Sequence, residues 1–398
     1  MDICKTRRQR FRGVLVLGVL LLHGAALAQD SLAAAAVARR LVDMGMLHVR
    51  VLDGEGHRYI GLEQGRYRFG PRGLSEVLKA VQQPDTEGAD TLSILVYTRG
   101  LPLLALRSVG AGRLEAQWAR GPLAARLQGI NPLQPATGRL ELLLSPGLRY
   151  QLGNFDYPVQ AAIDLQAGWD YLFRPGWSWQ GIVALPVHNS YDEKTRFRLE
   201  RAVLVHDRNW GGRAFLSLSA GIFSHNRAGG HLSGRLWLPD ERFALRWEAG
   251  LSGFTGLTGP VDFEETERKP LPLLLGGLEY HWRRYALNLR VSAGRFLYQD
   301  QGVLVEVFRQ MGEYRVGFFG SATSAGQNLG FQWSLPLFPA RYALPRRVRV
   351  RVAEQFPLSY RYRGLDQDAR RYQAGNLLSE QLYGFYPRFF VAGMLPKP

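Results

Sequence analysis

His188 and Ser190 are of the residue types that a serine nucleophile and its general base require. Residues two apart lie on the same face of a strand, so both side chains would point to one side. Similar neighbours recur at His206 and Asp207, and again around Ser224. Because the pair stands outside any longer catalytic motif, we expect a protein that is not an enzyme, and keep a lipid or glycan hydrolase as a less favoured alternative.

Arginines alternate with Val348, Val350 and Val352 near the end of the chain. A strand directs alternate residues to opposite faces, so three guanidinium groups would form a ladder on one face. Facing lipid, each arginine would cost about 2 to 4 kcal/mol, so we expect the ladder to face inward. Together with arginines at polar positions of other predicted strands, the candidate anion-contact residues are Arg246, Arg290, Arg315, Arg347, Arg349 and Arg351.

These arginines have two interpretations. A planar guanidinium binds carboxylate or phosphate groups well, so the ladder could line a conduit for an anionic polymer. Alternatively, the arginines are paired within the protein, to acids such as Glu248, Glu306 and Glu313. The sequence alone leaves both interpretations open.

The N-terminus has the pattern of a signal peptide over residues 1–28. Basic residues between Lys5 and Arg12 precede an uncharged stretch that ends in Ala26-Leu27-Ala28, which predicts cleavage before Gln29 and export. The stretch is shorter than the roughly 20 apolar residues of a spanning helix. Since Cys4 is the only cysteine, the mature chain would lack thiols, and the scattered histidines predict no metal site and no cofactor.

The formal net charge of +16 favours acidic partners. An exported protein rarely meets nucleic acid, and the arginines do not cluster into a tail, so we expect no nucleic-acid partner. An anionic polysaccharide or the phosphates of outer-membrane lipid fit the charge better.

Beyond residue 110 the apolar pattern has a period of two. Apolar residues alternate with Gly, Ser, Asn and Arg over five stretches: residues 163–173, 214–222, 243–251, 285–293 and 329–337. The mature chain has no run of 18 apolar residues, so a membrane could be crossed only by a closed barrel, which satisfies every backbone hydrogen bond in lipid. The small and polar residues of the second face favour a wet lumen over a soluble sandwich.

The sequence therefore predicts a mainly β fold with two parts. Residues 110–398 would form a transmembrane antiparallel β-barrel of about 12 strands, with residues 207–212 in a surface loop. Residues 29–109 would form a small α+β periplasmic domain that docks periplasmic partners. Its predicted elements are a helix over 32–46, strands over 47–52 and 59–67, a helix over 74–81, and a hairpin over 91–109 that turns at Arg99-Gly100.

The barrel region resembles the YjbH-type exopolysaccharide biosynthesis proteins of the outer membrane of Gram-negative bacteria. The matching patterns are LGNFDYP (152–158), PG (175–176), LPVHN (185–189), RQMG (309–312), VGFF (316–319), GQNLGF (326–331), SLPL (334–337), FPLSYRYR (356–363) and RYQAG (371–375). The resemblance implies a role in export or surface attachment of an exopolysaccharide, alongside periplasmic polysaccharide-export proteins, and supplies no catalytic residues. Family members are longer and can hold a second barrel, for which this chain has no room.

Two further alternatives belong to other classes of function. A general anion-preferring porin would conduct small solutes and leave polysaccharide unaffected when deleted. An assembly platform would have a lumen filled by side chains and would pass nothing.

Overall fold

The computed structural model describes residues 32–54, 56–81, 91–109, 113–119, 122–152, 159–190, 197–257, 263–264, 270–362, 368–382, 386–387, 391 and 394. The predicted signal peptide, residues 153–158 and residues 395–398 lie outside these ranges. Strands predominate. Within the described part of the chain, none of the helices combines the length and the apolar character needed to span a bilayer.

The N-terminal part is a five-stranded sheet whose strands follow chain order. Its elements are α1 (residues 32–43), β1 (Met46–Gly54), β2 (His57–Gln64), α2 (Gly70–Val81), β3 (Thr91–Thr98), β4 (Leu101–Val109), β5 (Arg113–Trp118) and α3 (Pro122–Gln128). Strands β2 and β3 are parallel, joined through α2, and the other neighbours are antiparallel. The predicted hairpin turn is confirmed, since Arg99 and Gly100 both adopt positive φ, 53° and 71°.

Helices cover both faces of this sheet. Leu41 of α1 and Val77 of α2 share one apolar cluster with Ile94 of β3, whereas Leu95 of the same strand packs with Leu127 of α3 on the other face. Burial on both faces explains why β3 has a continuous apolar sequence in place of alternation. Because β5 pairs with β4, the sheet continues past Val109, where the sequence places the domain boundary.

The large sheet contains fourteen strands. They are β6 (Arg139–Leu152), β7 (Val159–Arg174), β8 (Trp177–Asn189), β9 (Arg198–Trp210), β10 (Ala214–Phe223), β11 (Arg227–Trp237), β12 (Phe243–Phe254), β15 (Leu271–Trp282), β16 (Leu287–Arg295), β17 (Gln301–Met311), β18 (Tyr314–Thr323), β19 (Gly326–Pro336), β20 (Val348–Val352) and β21 (Gln355–Arg361). Two short strands, β13 (Gly256–Leu257) and β14 (Phe263–Glu264), pair separately between β12 and β15.

Strands β6 to β19 of the large sheet form an antiparallel meander in chain order. All five stretches of period-two sequence lie on its strands, namely β7, β10, β12, β16 and β19. The sheet exceeds the predicted count of about twelve strands because β20 and β21 are added at its two edges. The sheet is mainly antiparallel, and its strands do not pair into a closed ring.

The two edge strands of the large sheet are consecutive in the chain. β20 pairs in parallel with β6, and β21 pairs antiparallel with β19. Between them, the Ala353 amide donates to Leu144 of β6 (2.9 Å), and the Glu354 carbonyl accepts from Leu337 after β19 (3.2 Å). The chain therefore leaves one edge of the sheet and joins the other within two residues.

The meander is exposed on its apolar face and buried on its polar face. In β10, Leu218 is 49% exposed, whereas Ser217 and Ser219 are 0% and 1% exposed. In β17, Val305 is exposed and Glu306 is buried. This arrangement inverts that of soluble proteins, in which large apolar residues are buried and carboxylates almost never are unless paired.

Candidate functional site

The buried polar face of the large sheet is covered by the chain's own C-terminal segment, residues 368–382 with Tyr386. Polar groups of the segment form hydrogen bonds with strands that are far apart in the sheet. Ser321 of β18 donates to Asp368 (2.6 Å), and the Asn376 amide donates to Gln180 of β8 (2.8 Å). The segment therefore crosses the face from β18 to β8. It includes the short helix α4 (Leu378–Gln381).

Aromatic contacts hold the C-terminal segment at both ends of its path. Tyr372 stacks on Phe223 of β10, with ring centroids 4.7 Å apart. Tyr386 packs against Trp237 of β11 at 5.6 Å. Trp237 in turn stacks on Trp118 of β5 at 5.4 Å. One apolar cluster therefore joins the C-terminal segment, the large sheet and the N-terminal sheet.

The predicted contact residues Arg246 and Arg290 lie on this buried face, each within reach of an acid. Arg246 is 3.4 Å from Glu248, and Arg290 is 3.3 Å from Glu306. Arg371 of the C-terminal segment also binds Glu248, at 2.9 Å. For these two arginines, the geometry favours pairing within the protein over a free anion-binding surface.

A second buried pair extends the same network. Arg235 of β11 and Glu279 of β15 are 3.0 Å apart, and both side chains are fully buried. Glu279 also lies 3.5 Å from Arg290. A buried charge is costly unless it is paired. The acids on this face therefore neutralise the arginines that are buried beside them.

Two of the three predicted ladder arginines, Arg349 and Arg351, lie within β20. Arg349 and Arg351 both bind Glu141 of β6, at 2.8 and 2.9 Å. Arg347 precedes the strand and is exposed. The valines face outward as predicted, with Val348 57% exposed.

Arg349 also connects the large sheet to the N-terminal sheet. Its Nη1 donates to the Gly65 carbonyl at 2.6 Å. Close by in the chain, Arg68 binds Glu313 of the β17–β18 turn. Glu313 is therefore paired as the sequence suggests, but to an arginine of the N-terminal part.

Arg315 is partly exposed on β18. Its Nε donates to Gln310 (3.3 Å), and its guanidinium lies over the Phe308 ring, 5.6 Å from the centroid. The six predicted arginines are thus distributed over the buried network, the β6–β20 edge and a strand end. They do not form one continuous basic track.

A junction that the sequence analysis missed surrounds Asp207. This residue lies on β9 and is 1% exposed, so its assignment to a surface loop is wrong. Arg99, from the β3–β4 turn, binds Asp207 at 2.8 Å and Asp170 at 3.2 Å. The Arg99 and Gly100 amides donate to Glu63. Burial raises the pKa of Glu63 against the opposing effect of these hydrogen bonds.

The candidate catalytic pair is not assembled. Both His188 and Ser190 are exposed at the end of β8. The Ser190 hydroxyl bonds to the backbone of Ala161 (3.1 Å). Within the described ranges, no hydrogen bond joins the serine to the histidine, so neither residue is positioned as nucleophile or base.

A basic groove lies at the edge of the N-terminal part. It is an open depression of about 690 Å³, lined by residues of α1 and α2, of the β2–α2 connection and of the chain before β20. Its charged residues are Arg39, Arg40, Arg66 and Arg341 against Asp43 and Glu76. With four cations against two acids, the groove suits an anionic ligand.

Comparison with protein-family models finds no match to this chain, and neither do comparisons with curated proteins and with solved structures.

Proposed function

We propose that this protein is an outer-membrane β-barrel that anchors an anionic exopolysaccharide at the membrane without catalysis and without forming an open pore. The observation that carries the proposal is the inverted sheet, which exposes Leu218 and Val305 and buries Ser217 and Glu306. A monomeric soluble protein rarely exposes apolar patches above a few hundred Å². Hydrocarbon is the medium in which this arrangement is favourable.

Exposed aromatic residues near strand ends also support a membrane environment for the exposed face of the sheet. Trp210 ends β9 and is 69% exposed, Trp282 ends β15 and is 49% exposed, and Tyr314 begins β18 and is 52% exposed. Tryptophan and tyrosine are enriched where membrane meets water, because their rings are apolar and their N–H or O–H groups are not.

The edges of the large sheet support closure into a barrel. An open edge in lipid would leave backbone groups unpaired at several kcal/mol each. β20 and β21 belong to opposite edges, yet only Ala353 and Glu354 separate them. Tyr150 of β6 stacks on Tyr360 of β21, with centroids 6.3 Å apart. In the closed barrel, β20 and β21 together act as one strand that lies between β6 and β19 and pairs with both.

The C-terminal segment favours anchoring over conduction. It occupies the polar face that a porin or polymer conduit would keep open, and it neutralises Glu248 through Arg371. The lumen arginines are therefore unavailable to a polymer while the segment is in place. Among the alternatives, the platform with a filled lumen fits these contacts best.

The basic groove supports an anionic polymer as the partner, together with the resemblance of the strand motifs to exopolysaccharide proteins. Arg39 and Arg341 contribute charge at the groove, and guanidinium groups pair well with carboxylates. The groove belongs to the N-terminal part, which would lie on the periplasmic side and meet polysaccharide-export proteins there.

The first test addresses the membrane and the filled lumen. We expect the purified chain to require detergent, to migrate faster on a gel before heating than after, and to give no channels in planar bilayers. A soluble compact monomer without detergent would refute the barrel. Open channels in the untreated protein would refute the filled lumen.

A disulfide can report the position of the C-terminal segment. The hydroxyls of Ser233 and Ser379 are 2.6 Å apart, so Ser233→Cys with Ser379→Cys should form a disulfide under oxidation. Since Cys4 is the only native cysteine, background pairing is minimal. The control combines Ser379→Cys with Ser321→Cys on β18, which contacts Asp368 at the other end of the segment, and should remain unpaired.

The second test addresses the polymer. Deletion of the gene should reduce surface polysaccharide, and Arg39→Gln with Arg341→Gln should reproduce the loss at normal protein abundance. Arg242→Gln with Arg284→Gln, two exposed arginines on the β11–β12 and β15–β16 turns, provides the charge-matched control. Polymer at the wild-type level in the groove variant would reject the groove as its contact.

A further inference from the structure

We propose that His231, Glu248 and Glu380 bind one divalent transition-metal ion of the Zn²⁺ type, which fastens the C-terminal segment to the large sheet. The three residues come from separate elements, namely β11, β12 and α4. Each offers one ligand atom, and these atoms all lie within 4.8 Å of one another. A single ion can therefore reach all three after small side-chain adjustments.

His231 has the surroundings of a metal ligand. The side chain is 4% exposed, and its Nε2 is buried without a hydrogen-bond partner among the described residues. Its other nitrogen, Nδ1, lies 3.3 Å from the Tyr372 hydroxyl. In the tautomer that donates from Nδ1 to this oxygen, the Nε2 lone pair is available for an ion, which is the usual arrangement of metal-bound histidine.

Glu248 can offer a carboxylate oxygen to the ion although it also contacts two arginines. Arg371 and Arg246 both contact the same oxygen, Oε1, at 2.9 and 3.4 Å. The second oxygen, Oε2, takes part in neither of these two contacts. Glu380 supplies the second carboxylate of the set.

The ligand types select the class of metal. Imidazole nitrogen and carboxylate oxygen are both zinc ligands, and a site with three protein ligands leaves the fourth position to water. Calcium takes six to eight oxygen ligands and magnesium requires an octahedral oxygen set. The mixed nitrogen and oxygen donors therefore favour Zn²⁺, or Co²⁺ as its spectroscopic substitute.

The ion would tie the C-terminal segment to two paired strands of the large sheet. β11 and β12 are paired along their full lengths, whereas α4 is a four-residue helix that holds its position through side-chain contacts. A ligand bound only in the seated arrangement stabilises that arrangement by mass action. Metal removal should therefore loosen the C-terminal segment and leave the meander intact.

The experiment measures Zn²⁺ bound per chain in detergent-purified protein after dialysis against micromolar Zn²⁺. We expect about one equivalent in the wild type, and Glu380→Gln and His231→Asn should each weaken binding at least about tenfold. Loaded with Co²⁺, the wild type should show the intense visible absorption of a four-coordinate ion, and both variants should lose it.

Matched controls separate the site from surface binding. His225→Asn, on the exposed β10–β11 turn, and Glu354→Gln, at an exposed carboxylate, should bind as the wild type does. The heat-shift of gel migration verifies folding of every variant, and Glu380→Gln alone decides the question if His231→Asn does not fold. A wild type that binds no ion, or a Glu380→Gln variant that binds with unchanged affinity, would overturn the proposal without affecting the proposed barrel.

Discussion

Arg99 and Asp207 form an ion pair that joins the N-terminal sheet to the large sheet, with Nη1 and Oδ2 2.8 Å apart and Asp207 fully buried. The other oxygen of Asp207 accepts from the Ser217 hydroxyl (2.6 Å) and from the Leu378 amide (3.0 Å). One carboxylate therefore connects the N-terminal sheet, the meander and the C-terminal segment.

Replacement of Arg99 should loosen all three parts. Arg99→Met would leave Asp207 and Asp170 buried without their cation, and breaking such a pair costs about 3 to 5 kcal/mol. We expect a fall of that size in the free energy of unfolding in detergent, measured with urea, together with faster proteolysis of the N-terminal part.

The control for this variant is Lys79→Met. Lys79 also forms an ion pair, with Glu76 at 2.9 Å, but its side chain is 72% exposed. Exposed pairs contribute about 1 kcal/mol or less, so the control should unfold as the wild type does. Equal effects of the two substitutions would show that Arg99 does not join the domains.

A pair of glycines on β12 tests how tightly the C-terminal segment is seated. A Cβ at Gly250 would overlap the Tyr372 hydroxyl, whereas a Cβ at Gly253 would meet no atom within 4 Å. Gly250→Ala should therefore displace Tyr372 at about 1 to 3 kcal/mol, and Gly253→Ala should not. Protease access to the C-terminal segment measures the difference, and equal cleavage of both variants would contradict the seating.

Periodicity explains how much of the fold could be predicted. The strands around Ile163, Leu218 and Leu245 alternate because each has one exposed and one buried face, so the sequence alone located β7, β10 and β12. The N-terminal helices and hairpin were also predictable from apolar spacing and from the Arg99-Gly100 turn. The strand β5 was missed because a short stretch with one polar face resembles the first strand of the meander.

The C-terminal segment could not be predicted, because residues 368–382 have no periodic pattern and are ordered by contacts with distant strands. Asp368 meets Ser321, and Ser379 meets Ser233, and neither pair is visible in local sequence. The partners of the arginines could not be predicted for the same reason, because they are distant in the sequence. Arg349 and Arg347 have equivalent sequence positions, yet Arg349 binds Glu141 whereas Arg347 is exposed.

Acid should destabilise the N-terminal part through His48. Burial, and to a lesser extent Arg50, lowers the pKa of His48 to about 4 from 6.5. Between these values the unfolded chain binds the proton and the folded chain does not, so stability falls as pH falls from 6.5 toward 4. The loss at pH 5 amounts to about 2 kcal/mol.

The variant His48→Asn isolates this effect. His48 has a φ of 55°, a conformation that asparagine tolerates. Urea unfolding of both proteins at pH 7.5 and pH 5 should show a smaller acid-induced loss in the variant, while contributions from Glu63 cancel in the comparison. Identical losses in the two proteins would exclude His48 as the source.

The β6–β20 edge depends on one carboxylate. Glu141 accepts from both Arg349 and Arg351, so Glu141→Gln should weaken the edge by about 2 to 3 kcal/mol, the cost of losing hydrogen bonds to charged groups. A lower temperature for loss of the fast-migrating gel form would measure it. Glu354→Gln removes a weaker, 57% exposed partner of Arg351 and should change that temperature little.

The same geometry decides what the arginines of β20 do. If they bind polymer, Arg347→Gln alone should reduce surface polysaccharide, because Arg347 is the exposed member. If they seal the sheet, Arg347→Gln should be silent, and Arg349→Gln should impair assembly through the lost contacts to Glu141 and Gly65. We expect the second result, since Arg349 and Arg351 share Glu141 across the paired strands β6 and β20.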